Sequence, residues 1–274
     1  MRDCEAKGNM TNIGPEKHPN NEEDLPVVLL HGTSGHSEDW SQVVAQLMRH
    51  RPVIRLNYAE PVAGTDSANA PRVSDFADRV VAAAGAGGWH RFDLVGFSLG
   101  AAVATFIAAE YSEMVRSLVL VSGFSYGGDP RMRLQFDLWL HLARTDKIAF
   151  GKLLLVSGLS REFLSAFDEN TTNGIIQSFV AMSDWPLIEQ NIRVDLAVDV
   201  REQVKTIKAP TLSITGKYDQ IVPPFYTQEL ADLIPDAKSA EIPSGHLSFL
   251  EKPVDLASAM LIFLLEKHPY QLTA

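Results

Sequence analysis

Phe92-Asp-Leu-Val-Gly96-Phe97-Ser98-Leu99-Gly100 is the stretch on which the reading of the fold turns. Its first five residues are mostly apolar and too few for a helix, so they read as a buried strand. The small and apolar residues from Gly100 to about Tyr111 read as a helix. Between the two, Ser98 stands at the centre of a G-x-S-x-G spacing. A strand turning sharply into a helix strains its middle residue, and Gly96 and Gly100 remove Cβ atoms that would clash. The serine hydroxyl is thereby pushed out at the carboxyl end of a strand, where open α/β sheets bind ligands. The helix behind it offers free N–H groups and a partial positive charge to a developing anion.

The same rhythm repeats on either side of this stretch. Pro26-Val-Val-Leu-Leu30 is a short apolar run ending in His31-Gly32, and it reads as another buried strand. A helix is predicted over 38–48, with Trp40, Val43, Val44 and Leu47 at i, i+3, i+4 and i+7. A strand follows over 52–56, then a helix over 74–84 with Ser74 as its N-cap, then the Ser98 strand and helix, then a strand over 117–121. From 124 to 206 the strands stop. Large apolar residues instead recur in helical patterns, among them Phe136, Trp139, Leu153, Leu154, Leu155, Ile175, Ile176 and Phe179. The strand rhythm resumes over 210–216, followed by a helix over 227–233, a strand over 239–242 and a closing helix from about 254. Strands alternating with helices predict an α/β fold: a mostly parallel central sheet with helices on both faces. The expected division is a flexible polar tail over 1–24, a core over 25–123 and 207–274, and an inserted helical cap, or lid, over 124–206.

A serine is a weak nucleophile without a base, and the base needs an acid to orient it. Two segments supply candidates. Gly216-Lys-Tyr-Asp219 directly follows a strand, and Ser244-Gly245-His246 follows the next one, with Gly245 freeing the backbone beside the imidazole. The order Ser98, Asp219, His246 is the one this sheet architecture uses for a nucleophile, acid and base. Asp129, Asp195 and Asp199 are the other acids to weigh, and His36 is a second loop histidine. His18, His50, His90, His141 and His268 have no partner pattern and read as surface groups.

Taken together, His31-Gly32-Thr33-Ser34-Gly35, the Ser98 turn, 216–223 and Gly245-His246 resemble the serine α/β-hydrolases with a helical cap, over roughly 25–265. The resemblance implies an oxyanion hole built from the backbone N–H groups of Thr33 and Leu99, with His31 and Gly32 supporting that loop. It implies a hydrolase that needs no cofactor and no metal. The expected substrate is a small carboxylic ester, thioester or lactone with an apolar acyl part, cleaved through an acyl-enzyme. Carbon–carbon bond hydrolysis and perhydrolysis of the haloperoxidase type use the same triad, and a non-catalytic ligand binder of this fold is the reading from another class. Phe97, Phe124, Trp139 and Trp185 are the expected pocket-lining residues. The chain departs from the family in two places: no strand pair is evident before Leu25, and the loop after the second strand reads Tyr58-Ala-Glu-Pro-Val-Ala-Gly-Thr where relatives carry Arg-Gly-x-Gly.

Composition narrows the field further. The 274 residues are 46% hydrophobic and carry 24 Lys plus Arg against 34 Asp plus Glu, a net charge of −10. That balance disfavours nucleic acid and anionic membrane surfaces as partners. No apolar segment follows Met1 and none approaches the ~18 residues of a membrane span, so a soluble cytoplasmic protein is expected. The single cysteine, Cys4, cannot pair within the chain, and with it in the tail the nucleophile is expected to be oxygen. Gly85-Ala-Gly-Gly precedes a strand and lacks the dinucleotide-binding spacing, and there is no Walker loop or His-Glu-x-x-His. Oligomeric state is left open.

Overall fold

The strand rhythm closes into one sheet in the computed structural model, which describes residues 10–13, 25–60 and 71–266. Among the described residues the strands are β1 (Met10–Ile13), β2 (Val27–Leu30), β3 (Val53–Leu56), β4 (Phe92–Phe97), β5 (Val115–Val121), β6 (Thr211–Gly216) and β7 (Lys238–Ile242). They lie in the order β1-β3-β2-β4-β5-β6-β7. Every pair is parallel except β1 with β3. The helices are α1 (Ser41–Leu47), α2 (Val73–Ala86), α3 (Leu99–Glu110), α4 (Pro130–Thr145), α5 (Lys147–Gly158), α6 (Arg161–Leu164), α7 (Glu169–Met182), α8 (Trp185–Ala197), α9 (Pro224–Leu233), α10 (Ser248–Glu251) and α11 (Pro253–Leu264). None is long and apolar enough to cross a membrane.

The period of two along each strand sorts the core into two layers. Val28, Leu30, Leu94, Leu118 and Leu120 face one side, with α2 and α3. Val27, Leu29, Val95, Val119 and Val121 face the other, with α1 and α11. Both faces are therefore covered, which is why these strands read as continuous apolar runs. At the amino end of the sheet the exception in β4, Asp93, is fully buried. It accepts from Arg51 at 2.6 Å and from two nitrogens of Arg116 at 2.6 and 2.7 Å, while Arg116 also reaches the Leu264 carbonyl at 2.8 Å.

Between β5 and β6 the chain runs through α4 to α8, and among the described residues its backbone meets the β-pattern only in an isolated bridge, Tyr126 to Asp199. The first and last of these helices start at side-chain caps followed by proline: Asp129 before Pro130 and Asp184 before Pro186. Phe136, Trp139, Phe150, Phe179 and Trp185 pack edge to face or stacked in a continuous aromatic spine.

Three local expectations are corrected. Met10–Ile13, within the segment expected to be a flexible tail, is an antiparallel strand whose residues pair in register with 53–56. The outer edge of β3 would otherwise leave its N–H and C=O groups unpaired, and that edge recruits the short segment Met10–Ile13. The helix expected over 38–48 is a 3₁₀ turn over Ser37–Trp40 followed by α1. Ser74 does not cap α2: the cap is Arg72, whose N–H donates to the Asp75 carboxylate at 2.7 Å.

Candidate active site

Ser98 joins β4 to α3 with φ 54° and ψ −118°. Few non-glycine residues occupy this region, and holding one there costs about 1–3 kcal/mol. Close packing imposes it. A Cβ at Gly96 would sit 2.2 Å from the Gly100 carbonyl oxygen, and one at Gly100 would sit 2.5 Å from that of His31. The strained backbone is held by Ser98 N–H donating to Val121 at 3.0 Å and by Ala101 N–H donating to the Ser98 carbonyl at 2.9 Å. The Leu99 side chain is fully buried, so only its backbone can serve the site, and as first residue of α3 its N–H has no intrahelical acceptor.

Beyond the carboxyl ends of β6 and β7 lie Asp219 and His246. Asp219 Oδ1 accepts from the N–H groups of Ile221 and Val222 at 2.9 and 2.8 Å. Asp219 Oδ2 lies 2.7 Å from His246 Nδ1. With Oδ1 taken by two donors, Oδ2 accepts the Nδ1 proton, and this leaves Nε2 with the free lone pair. The Phe97 ring, 4.7 Å from the imidazole by centroids, packs against it and against Phe249. The histidine loop is tied down as well. Gly245 N–H donates to Glu251 Oε1 at 2.9 Å, Ser160 donates to the same carboxylate through its N–H and hydroxyl, and Leu247 N–H donates to the Gly158 carbonyl at 3.0 Å.

The loop after β2 carries His31 to Gly35. Burial lowers the His31 pKa to about 4, so the ring is neutral and its Nδ1–H donates to the Gly32 carbonyl at 2.8 Å. Its ring stacks on Tyr58, whose hydroxyl donates to the His31 carbonyl at 2.6 Å. His31 braces the loop and does not line the cavity. Thr33 does line it. Thr33 Oγ1 donates to Asp195 Oδ2 at 2.6 Å, and Asn191 Nδ2 donates to the Thr33 carbonyl at 2.9 Å.

These elements meet at a cavity of about 340 Å³. Ser98, His246, Thr33 and Phe97 line it, together with Trp139, Leu154 and Phe179 from the helices between β5 and β6 and Glu38, Asp39, Ser41 and Gln42 from the segment after β2. Burial raises the Asp39 pKa from its ordinary value. Asp219 stands behind His246 and does not touch the cavity.

Two of the four expected lining residues are elsewhere. Phe124 is fully buried against Phe136, and Trp185 packs between Phe150 and Phe179 with its indole N–H on the Val180 carbonyl. Both serve to seat the helices rather than to meet a ligand. The rival acids are also accounted for. Asp129 caps α4 and accepts from the Tyr226 hydroxyl, Asp199 pairs with Arg201, and Asp195 faces Thr33. His36 is exposed. The sequence reading missed Glu251 and Asn191. Glu251 gives no sign in an ordinary Ser-Phe-Leu-Glu turn, but Asn191 and Asp195 form a polar i, i+4 pair inside an otherwise apolar helix face, a legible anomaly.

Comparison with known proteins agrees with this fold. A family model described as alpha/beta hydrolase fold matches residues 26–253. Pyrrolizixenacetamide deacetylase of Xenorhabdus hominickii is 37% identical over 242 residues, 88% of this chain and 91% of the relative. A 2-hydroxy-6-oxo-6-(2'-aminophenyl)hexa-2,4-dienoic acid hydrolase of Metapseudomonas resinovorans is 27% identical over 257 residues, 87% of this chain and 83% of the relative. Among solved structures, the enol-lactonase from Burkholderia xenovorans LB400 has the same fold, with a TM-score of 0.81 at 20% identity over 94% of this chain and 96% of that one.

Proposed function

The chain belongs to the alpha/beta hydrolase fold family, and from that premise we propose that it is a cofactor-independent serine hydrolase cleaving a small carboxylic ester, thioester or lactone with an apolar acyl part. One observation carries the reading: Ser98 and His246 open on the same cavity while Asp219 holds the far nitrogen of the imidazole at 2.7 Å. His246 Nε2 takes the Ser98 hydroxyl proton as Oγ attacks the carbonyl carbon. The carbonyl oxygen becomes an oxyanion, held by the N–H groups of Leu99 and Thr33, each such donor being worth about 10²–10³ in turnover. Asp219 accepts from the imidazolium. His246 then gives its proton to the leaving group, and the C–O or C–S bond breaks to leave an ester on Ser98. Water, deprotonated by the same nitrogen, releases the acid and restores the serine. The helices from α4 to α8 act as the cap, their Trp139, Leu154 and Phe179 side chains receiving the apolar acyl part.

The 37% identical deacetylase favours a second reading on the same machinery, removal of an acetyl group from nitrogen. There the small acyl group sits over Ser98 and the bulk of the cavity holds the leaving amine. Incubation with a fluorophosphonate is expected to add one adduct, on Ser98, and an unchanged intact mass after long exposure would overturn both readings. A panel of p-nitrophenyl esters, thioesters and N-acetyl arylamines decides between them.

A further inference from the structure

The loop that carries Thr33 is gripped from α8, by residues far away in sequence. Helix α8 buries Ile188, Ile192 and Val194, yet the polar Asn191 and Asp195 are 1% and 0% exposed. Four residues apart, they share one face of the helix. Both reach the same residue: Asn191 Nδ2 binds the Thr33 carbonyl at 2.9 Å and Asp195 Oδ2 takes the Thr33 hydroxyl at 2.6 Å. One bond holds the peptide that follows Thr33 and the other its side chain, so the residue is gripped at two points about its Cα. The N–H of the same residue is one of the two oxyanion donors in the reaction set out above.

We propose that Asn191 and Asp195 are positioning residues for the oxyanion hole, clamping Thr33 so that its N–H is aligned before the oxyanion forms. The inference rests on the reading of Ser98 and Thr33 in the proposed function. Such alignment matters because a donor acts at full strength only when it is preorganised, and a misplacement of about 1 Å costs about 10²-fold.

The chemistry of the pair supports a rigid clamp. Asp195 has no cationic partner among the described residues, and burial pushes its carboxyl well above the ordinary range. Asp195 Oδ1 and Asn191 Oδ1 are both buried without a partner.

The test uses the full chain with a p-nitrophenyl ester, and Thr33→Val, Asp195→Ala and Asp195→Asn as variants. Thr33→Val and Asp195→Ala are expected to lower kcat about 10²-fold with KM nearly unchanged, because the lost interaction is made only in the transition state. Asp195→Asn is expected to retain kcat within about threefold, since an amide oxygen still accepts from the Thr33 hydroxyl. The double variant Thr33→Val/Asp195→Ala should fall no further than either single one. A purely structural contact would lower Tm in each variant and leave kcat per folded molecule intact, and that result overturns the clamp. If Asp195→Ala does not fold, Thr33→Val decides alone. Failure of the underlying reading looks different: the wild type itself would take no phosphonate and turn over no ester, and the clamp would fall with it.

Discussion

Glu251 receives the Gly245 N–H at 2.9 Å, and with the same carboxylate it holds Ser160, the cap of α6. One buried acid therefore joins the loop of the catalytic histidine candidate to the helices between β5 and β6.

Removing that acid strands three donors at once, the N–H groups of Gly245 and Ser160 and the Ser160 hydroxyl. Glu251→Ala is expected to lower unfolding stability in urea by about 3 kcal/mol, within the range for unsatisfied buried partners of a charged group. It should also reduce kcat, because the His246 backbone loses its tether. Unaltered urea midpoint and turnover would show that the contact does not support the loop.

The strain at Ser98 makes a separate statement. Its φ of 54° and ψ of −118° suit glycine better than any residue with a Cβ. Ser98→Gly and Ser98→Ala should both lose most turnover, by about 10⁶ if the three residues act as a unit. They should differ in stability. The glycine variant is expected to unfold about 1–2 kcal/mol later than the alanine variant, since only glycine relieves the backbone. Equal melting of the two by calorimetry would mean that the turn stores no strain.

The pH dependence of stability follows from two buried groups that pull in opposite directions. His31 has its pKa lowered to about 4 from an ordinary 6.5. Between those values the unfolded chain takes up a proton that the folded chain refuses, so this group's contribution is full above pH 6.5 and is lost as pH falls toward 4. The loss amounts to about 3 kcal/mol. Asp195, raised by burial, does the reverse: the folded chain keeps a proton that the unfolded chain releases, and stability declines as pH rises past the ordinary carboxylate range. Comparing wild type with His31→Gln at pH 7 and pH 5 isolates the first effect. The variant should show a visibly smaller drop on acidification; an identical drop in both would remove His31 from the account.

How much of this could be read from the residues depends on the distance over which each is decided. Ser98 is fixed locally, by two glycines, a strand before and a helix after, and those signals are all within a dozen positions. Asp219 and His246 each follow a strand directly, so the parallel sheet brings them to one edge whatever else happens. The strand at Met10–Ile13 was not legible because its four residues carry no apolar alternation of their own; the open edge of β3 supplies the reason it forms. Phe124 and Trp185 were placed at the pocket because large apolar side chains near the site serve packing and lining equally well, and only the aromatic spine shows which task each has. Asn191 and Asp195 contact a residue 158 and 162 positions earlier, a pairing that no local pattern records.

The cavity walls lead to a prediction about chain length. Each methylene of an acyl part that finds apolar contact is worth about 0.8 kcal/mol, or about fourfold in kcat/KM. Trp139, Leu154 and Phe179 in the cavity lining offer such contact, whereas Glu38 and Asp39 do not. The wild type should therefore gain with each added carbon until the wall is reached. Leu154 is only half-buried, so a larger side chain there can be accommodated without breaking the core. Leu154→Trp is expected to move the optimum of a p-nitrophenyl ester series to shorter chains while leaving turnover of the acetate nearly as it was. A uniform fall across the series would place the acyl part elsewhere. An unchanged optimum together with faster N-acetyl arylamine cleavage would put the acetyl group over Ser98 and the leaving group against Leu154, which is the arrangement that the second reading requires.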